Sequence, residues 1–139
     1  MTKQIWINLP VKDIARSKAF FTAIGFKLNE RYGNSDQSAS FLVGDKQVVV
    51  MLFTEDTFSS FTGNELVNTS EGSEVLFSLD AESRDEVEEM ATKAEDAGGT
   101  VFGLPQERQG WMYGCGFADP DGHRWNVLYM DMSKMPGQV

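Results

Sequence analysis

The order of patterned segments in this 139-residue chain runs twice. "IWINLPV" (5–11) alternates, placing Ile5, Ile7, Leu9 and Val11 on one face and Trp6 and Asn8 on the other, which predicts a half-buried strand. Asp13 follows as an N-cap. Ile14, Ser17, Phe20, Phe21 and Ile24 then recur at helical spacing, and Gly25 stands where that helix stops. "FKLNERY", "QSASFLV" and "KQVVVMLF" read as strands, the last two joined by a Gly44-Asp45 turn. From residue 73 the same order returns. "SEVLFSLD" (73–80) alternates Val75, Phe77 and Leu79 against Glu74, Leu76 and Ser78. "SRDE" (83–86) has the form of a capping box, with Ser83 at the cap and Glu86 three residues on. Val87, Met90, Ala91 and Ala94 make the apolar stripe of a helix ending at Gly98-Gly99. "TVFG", "WMYGCGFAD" and "HRWNVLYM" follow as strands. Each half reads β-α-β-β-β, and neither has enough core to stand alone. The simplest reading is a duplicated half-unit within one α+β domain spanning 1–139. Module one covers 1–53, a connection 54–72, module two 73–131 and a C-terminal tail 132–139.

Charge and composition exclude several functions. Asp and Glu number 21 against 12 Lys and Arg, a formal charge of −9. The basic residues are scattered along the sequence with no aromatic-basic stripe, which argues against a nucleic-acid partner. The acidic balance permits a cationic ligand, although solubility alone accounts for it. Cys115 is the only cysteine, so an intramolecular disulfide framework and a multi-cysteine zinc site are both excluded. "MTKQIWINLP" lacks the apolar run of a signal peptide, and no apolar stretch approaches membrane-spanning length. A cytoplasmic protein with no membrane partner is expected.

Two motifs at opposite ends carry a family resemblance. "LPVKDIARSKAFFTAIGF" resembles the opening motif of the vicinal oxygen chelate superfamily: a strand, an Asp, a helix with Ser and an aromatic pair, then Gly-Phe. "FADPDGHRWNVLY" resembles its closing motif, an aromatic before D-P-D-G and then a strand. The superfamily includes glyoxalase I, extradiol dioxygenases, fosfomycin-modifying enzymes and bleomycin-resistance proteins; this chain is most similar to the small "predicted lactoylglutathione lyase" branch. The resemblance implies two modules whose strands curl around a cleft that takes a small molecule, in a homodimer. It also implies four inward positions, on the first and last strand of each module, where metal-using members carry His or Glu. Matched by motif, these are Trp6, Met51, Glu74 and Asn126. Indole only donates, a thioether is soft, and an Asn carbonyl is a feeble single ligand. Only Glu74 matches a family ligand type, so the expected metal site is lost and no cofactor is expected.

With Asn126 facing the cleft, alternation turns His123, Trp125, Val127 and Tyr129 the other way. His123, the only histidine, is therefore read as the structural start of a strand after the Pro120-to-Gly122 turn. Glu74 is the candidate catalytic group: desolvated beside Trp6, Met51 and Phe53, it would act as an acid or base. The alternative, that it pairs with Arg124 and holds the walls together, stays open. The candidate ligand-binding set is Trp6, Asn8, Met51, Phe53, Glu74, Trp111, Arg124 and Asn126. Trp6 and Trp111 would stack on a planar ligand, and Arg124 would grip an anion or form a surface pair. Cys115 reads as a buried, inert thiol. Two function classes remain. One is a metal-independent binding protein of the bleomycin-resistance kind. The other is a glyoxalase-like lyase, or another activity of the superfamily, using Glu74.

Overall fold

The computed structural model describes residues 1–136; the last three positions of the expected tail at 132–139 lie outside the described residues. The chain divides into two units, Met1–Asn68 and Thr69–Val139. Unit one contains β1 (Trp6–Val11), α1 (Ile14–Ala23), β2 (Lys27–Leu28), β3 (Ser38–Val43), β4 (Val48–Thr54) and α2 (Glu55–Thr62). Its sheet runs β1-β4-β3-β2, with β1 parallel to β4 and the other pairs antiparallel. Unit two contains β5 (Leu76–Asp80), α3 (Arg84–Asp96), β6 (Thr100–Arg108), β7 (Met112–Ala118), β8 (Arg124–Met130) and a 3-10 turn at Met132–Lys134. Its sheet runs β5-β8-β7-β6 with the same pattern of parallel and antiparallel pairs. The twofold β-α-β-β-β order read from the sequence is the order of the fold.

Both main helices are bounded by the same chemistry. The Asp13 carboxylate accepts from the Arg16 amide and the Ser83 hydroxyl from the Glu86 amide, at 3.0 and 3.1 Å. At the other ends Gly25 and Gly98 take positive φ, at 106° and 103°. Phe26 donates to the Phe21 carbonyl and Gly99 to the Ala94 carbonyl, which closes each helix in a Schellman motif. Each unit has one apolar face packed on its helix. In unit one Phe20, Phe21, Phe26 and Phe41 cluster, with Phe21 stacked on Phe26 at 5.2 Å. In unit two Val87 and Ala94 of α3 are buried together with Phe117, Trp125 and Val127.

The structure corrects several element boundaries. Ile5 precedes β1 and is 70 % exposed, so it does not join Ile7, Leu9 and Val11 on the core face. β2 is only Lys27–Leu28. The Asn29 side chain then accepts the Arg31 amide and donates to Ser40, and this local bonding replaces a continuing ladder. β5 begins at Leu76 and leaves Glu74 outside it. Leu76 pairs with Arg124, the first residue of β8; continuing β5 backward would require pairing with the turn around Gly122, where φ is 85°. β6 runs on to Arg108, well past "TVFG", because Gly103 and Pro105 sit at two register shifts where the ladder is interrupted. The 54–72 connection contains α2. Among the described residues no helix is long and apolar enough to cross a membrane.

Candidate functional site

In unit one, strand pairing decides which side chains share the face turned away from α1. One cross-strand row is Trp6, Val49, Leu42 and Lys27; the next is Asn8, Met51 and Ser40; a third is Pro10, Phe53 and Ser38. Trp6, Asn8, Met51 and Phe53 therefore lie on one face, and they are covered to different degrees. Trp6 is 52 % exposed and Asn8 is exposed. Met51 is buried beneath the loop after β2. A Cβ placed on Gly33 would lie 2.9 Å from Met51 Cε and 3.0 Å from its sulfur, so the thioether is already occupied by packing. Phe53 meets Phe61 of α2 edge-on at 5.0 Å.

In unit two the corresponding face carries Arg124, paired with Leu76 and Ala118, and Asn126, paired with Ser78 and Gly116. The register shift between Val101 and Gly103 leaves Phe102 unpaired, and its ring lies directly over Gly116. The Arg124 guanidinium stacks on that ring, 4.3 Å from its centroid. Arg124 Nε and Asn126 Oδ1, on neighbouring same-face positions of β8, are buried without a hydrogen-bond partner. Trp111, buried at the β6–β7 turn, leaves its Nε1 in the same condition. All three orphaned side-chain polar atoms found among the described residues belong to candidate ligand-binding residues. Glu74 is exposed in the bend before β5, so its own unit does not supply the desolvation that an acid–base role calls for. No ion pair joins it to Arg124 among the described residues.

The closing motif is organised by Asp119, which is 4 % exposed. Its Oδ1 accepts the amides of Asp121 and His123, both at 3.0 Å, and its Oδ2 accepts Trp125 Nε1 at 3.1 Å. Burial pushes the Asp119 carboxyl above the usual carboxylate range, while His123 and these hydrogen bonds pull it back. The sequence places the strand start at His123, but β8 begins one residue later at Arg124; His123 closes the turn instead, its carbonyl accepting the Asp119 amide. Trp125 and Val127 point to the core while Arg124 and Asn126 take the other face, as alternation requires. Cys115 is buried, its Sγ 3.6 Å from the Val87 carbonyl, and burial raises its pKa, which disfavours the thiolate. Sequence reasoning did not single out Asp119 or Phe102. The signal for Phe102 was Gly116 in mid-strand, a position where a side chain from elsewhere needs room.

The residues present do not fit the divalent metal that the family resemblance implies. An indole, a packed thioether, one exposed carboxylate and one amide are not the three hard or borderline donors such a site needs. Among the described residues no three His, Cys, Asp or Glu side chains group as a metal site.

Residues 3–127 match the family model of the Glyoxalase/Bleomycin resistance protein/Dioxygenase superfamily. A hypothetical protein, SA1046, from S. aureus is 34 % identical, with a TM-score of 0.81 over 93 % of this chain and 94 % of that one. A glyoxalase-related enzyme from Fulvimarina pelagi superimposes at a TM-score of 0.77 with 17 % identity, covering 92 % and 88 % of the two chains. A lactoylglutathione lyase from Agrobacterium tumefaciens does so at 0.69 with 18 % identity, covering 97 % and 98 %. At such identities these last two share the fold alone. No match was found among curated proteins. With nine-tenths of its length accounted for by one family model, two β-α-β-β-β units and the motifs at both ends, the chain belongs to the glyoxalase/bleomycin resistance protein/dioxygenase superfamily.

Proposed function

We propose that this protein binds a small organic molecule on the sheet faces that carry the motif positions, without a catalytic metal. The observation that carries the reading is the pair of orphaned polar atoms at Arg124 and Asn126, on the same face of β8. A buried polar group without a partner costs about 1–3 kcal/mol, and a ligand offering an acceptor to Arg124 Nε and a donor to Asn126 Oδ1 would remove that cost at both positions. The Arg124–Phe102 stack adds a flat wall beside them. Loss of the metal is supported by donor chemistry at Trp6, Met51, Glu74 and Asn126. The glyoxalase-like alternative with Glu74 as acid or base gains nothing from an exposed carboxylate outside the strand. We also propose that the protein works as a cytoplasmic twofold dimer, because each unit's sheet ends in two edge strands that call for cover.

Elemental analysis of protein purified from cells tests the metal half. The expected result is well under one nickel, zinc, iron or manganese per chain; one tightly held ion per chain, lost on Glu74→Ala, overturns it. Native mass spectrometry of the same sample tests the ligand half, with a small-molecule adduct expected to dissociate in Arg124→Ala. Sedimentation equilibrium at micromolar concentration is expected to give a dimer, and a monomer alone overturns that part.

A further inference from the structure

Unit one holds a cavity of about 630 Å³ that contains none of the eight candidate residues. This volume lies in the range of small-molecule pockets, ~300–1,000 Å³. Part of its lining is apolar: Leu42 and Val49 are neighbours in the cross-strand row that starts at Trp6 and ends at Lys27. Around it stand Lys3, Lys27, Arg31 and Lys46, with Glu30 the one carboxylate of the lining. Four cations and one carboxylate give the lining a formal charge of +3 in a chain of −9. These cations are scattered in sequence, and the fold gathers them. None of the four makes an ion pair or side-chain hydrogen bond among the described residues. An excess of like charge gathered on one lining raises the local potential and attracts an anion.

The cavity wall is also preorganised. Asn29, 1 % exposed, donates to Ser40 Oγ at 3.1 Å and accepts the Arg31 amide at 3.2 Å. Asn34 donates to the Asn29 carbonyl at 2.5 Å. The loop that presents Arg31 is thus fixed before any ligand arrives, which lowers the ordering cost of binding.

We infer that this cavity binds an organic anion, with an apolar body against Leu42 and Val49 and a carboxylate or phosphate head among Lys3, Lys27, Arg31 and Lys46. The inference goes beyond the proposed function by assigning a second site with its own ligand class, and it stands on the unit-one sheet face that carries Trp6 rather than on the orphaned atoms of unit two. The test is a titration of the full chain with octanoate, octanol and inorganic phosphate at low salt, followed by amide 1H–15N correlation spectra. Octanoate is expected to give saturable shifts confined to residues 3–5, 27–32 and 46–49, with octanol and phosphate each markedly weaker. Arg31→Gln and Lys46→Gln, both exposed and remote from the core, are expected to weaken octanoate by about two- to fivefold each, the range of exposed ion pairs. Lys27→Glu with Arg31→Glu is expected to abolish saturation. No saturable shift overturns the inference, as does octanol or phosphate equalling octanoate. Shifts centred on Phe102, Arg124 and Asn126 also overturn it, yet leave the proposed function standing, so the two failures are distinguishable.

Discussion

Units one and two share a strand order, a pattern of parallel and antiparallel pairing, side-chain N-caps and Schellman C-caps. They treat the sheet face away from the main helix in opposite ways. Unit one covers its face with its own chain: Gly33 lets the loop after β2 settle on Met51 and Ser40, and Phe61 of α2 covers Phe53. Unit two clears its face by using Gly114 and Gly116 in β7, and fills part of the space with Phe102 from a register shift. Among the described residues the orphaned side-chain polar atoms are all in unit two, and the cation-rimmed cavity is in unit one. A duplicated frame keeps its caps and pairing because those hold the backbone. The outward-turned positions contribute little to the core and are free to diverge into different binding chemistry.

The largest effect is expected where unit two has something unit one lacks, the Asp119 hub. Asp119→Ala strands Trp125 Nε1 and two backbone amides, and is expected to cost about 4 kcal/mol in denaturant unfolding. Its pH dependence has a definite sign. The folded pKa is raised, so the native state holds the proton more tightly than the unfolded chain. The contribution of this group to stability therefore falls as pH rises from the ordinary carboxylate range through the folded pKa. Unfolding midpoints across that window should lose this component in Asp119→Asn; an unchanged profile would mean that other groups set it.

Next come the glycines on which the two faces depend. Gly33→Ala adds a Cβ 2.8 Å from Ser40 Cβ at a φ of 88°, and is expected to cost about 3 kcal/mol, overpacking and left-handed strain together. Gly114→Ala meets the Val127 carbonyl, a backbone atom, at 2.8 Å and is expected to cost about 2 kcal/mol. If either is neutral by thermal unfolding, that face is looser than the packing indicates. The shared frame gives smaller, matched numbers. Asp13→Ala and Ser83→Ala each remove one N-cap acceptor and should each cost about 1 kcal/mol. Clearly unequal values would break the equivalence of the two units.

These contrasts also mark what a sequence can convey. Period-2 alternation located the faces of β1 and β8, and helical spacing with Asp13, Ser83, Gly25 and Gly98 located α1 and α3, because those signals are local. The register of Leu76 against Arg124, which excludes Glu74 from β5, depends on where the Asp119–Gly122 turn ends, and that is non-local. The bulge that redirects Phe102 and the gathering of Lys3, Lys27, Arg31 and Lys46 likewise depend on pairing between distant segments. "TVFG" gave no sign that the strand continues through Gly103 and Pro105, since a breaker such as Pro105 ends a strand except where a register shift leaves it unpaired.

Gly116→Ala provides the smallest and most diagnostic effect. The new Cβ would meet the Phe102 ring at 2.6 Å, whereas at Gly114 it would meet the Leu128 side chain at 2.6 Å and also the Val127 carbonyl at 2.8 Å, so of the two only Gly114 faces backbone. Phe102 is a side chain 48 % exposed, free to swing outward, whereas the Val127 carbonyl belongs to a sheet ladder. The stability loss should therefore stay below about 1 kcal/mol, the scale of an exposed cation–π contact. The local consequence is larger than that figure suggests. Once the ring moves, Arg124 loses its stack, and its Nε–H resonance should shift and broaden while the α3 amides stay in place. Ligand affinity on unit two should fall with it, and octanoate shifts on unit one should not. If Gly116→Ala weakens both to the same degree, the faces are coupled and the division of labour between the units is wrong.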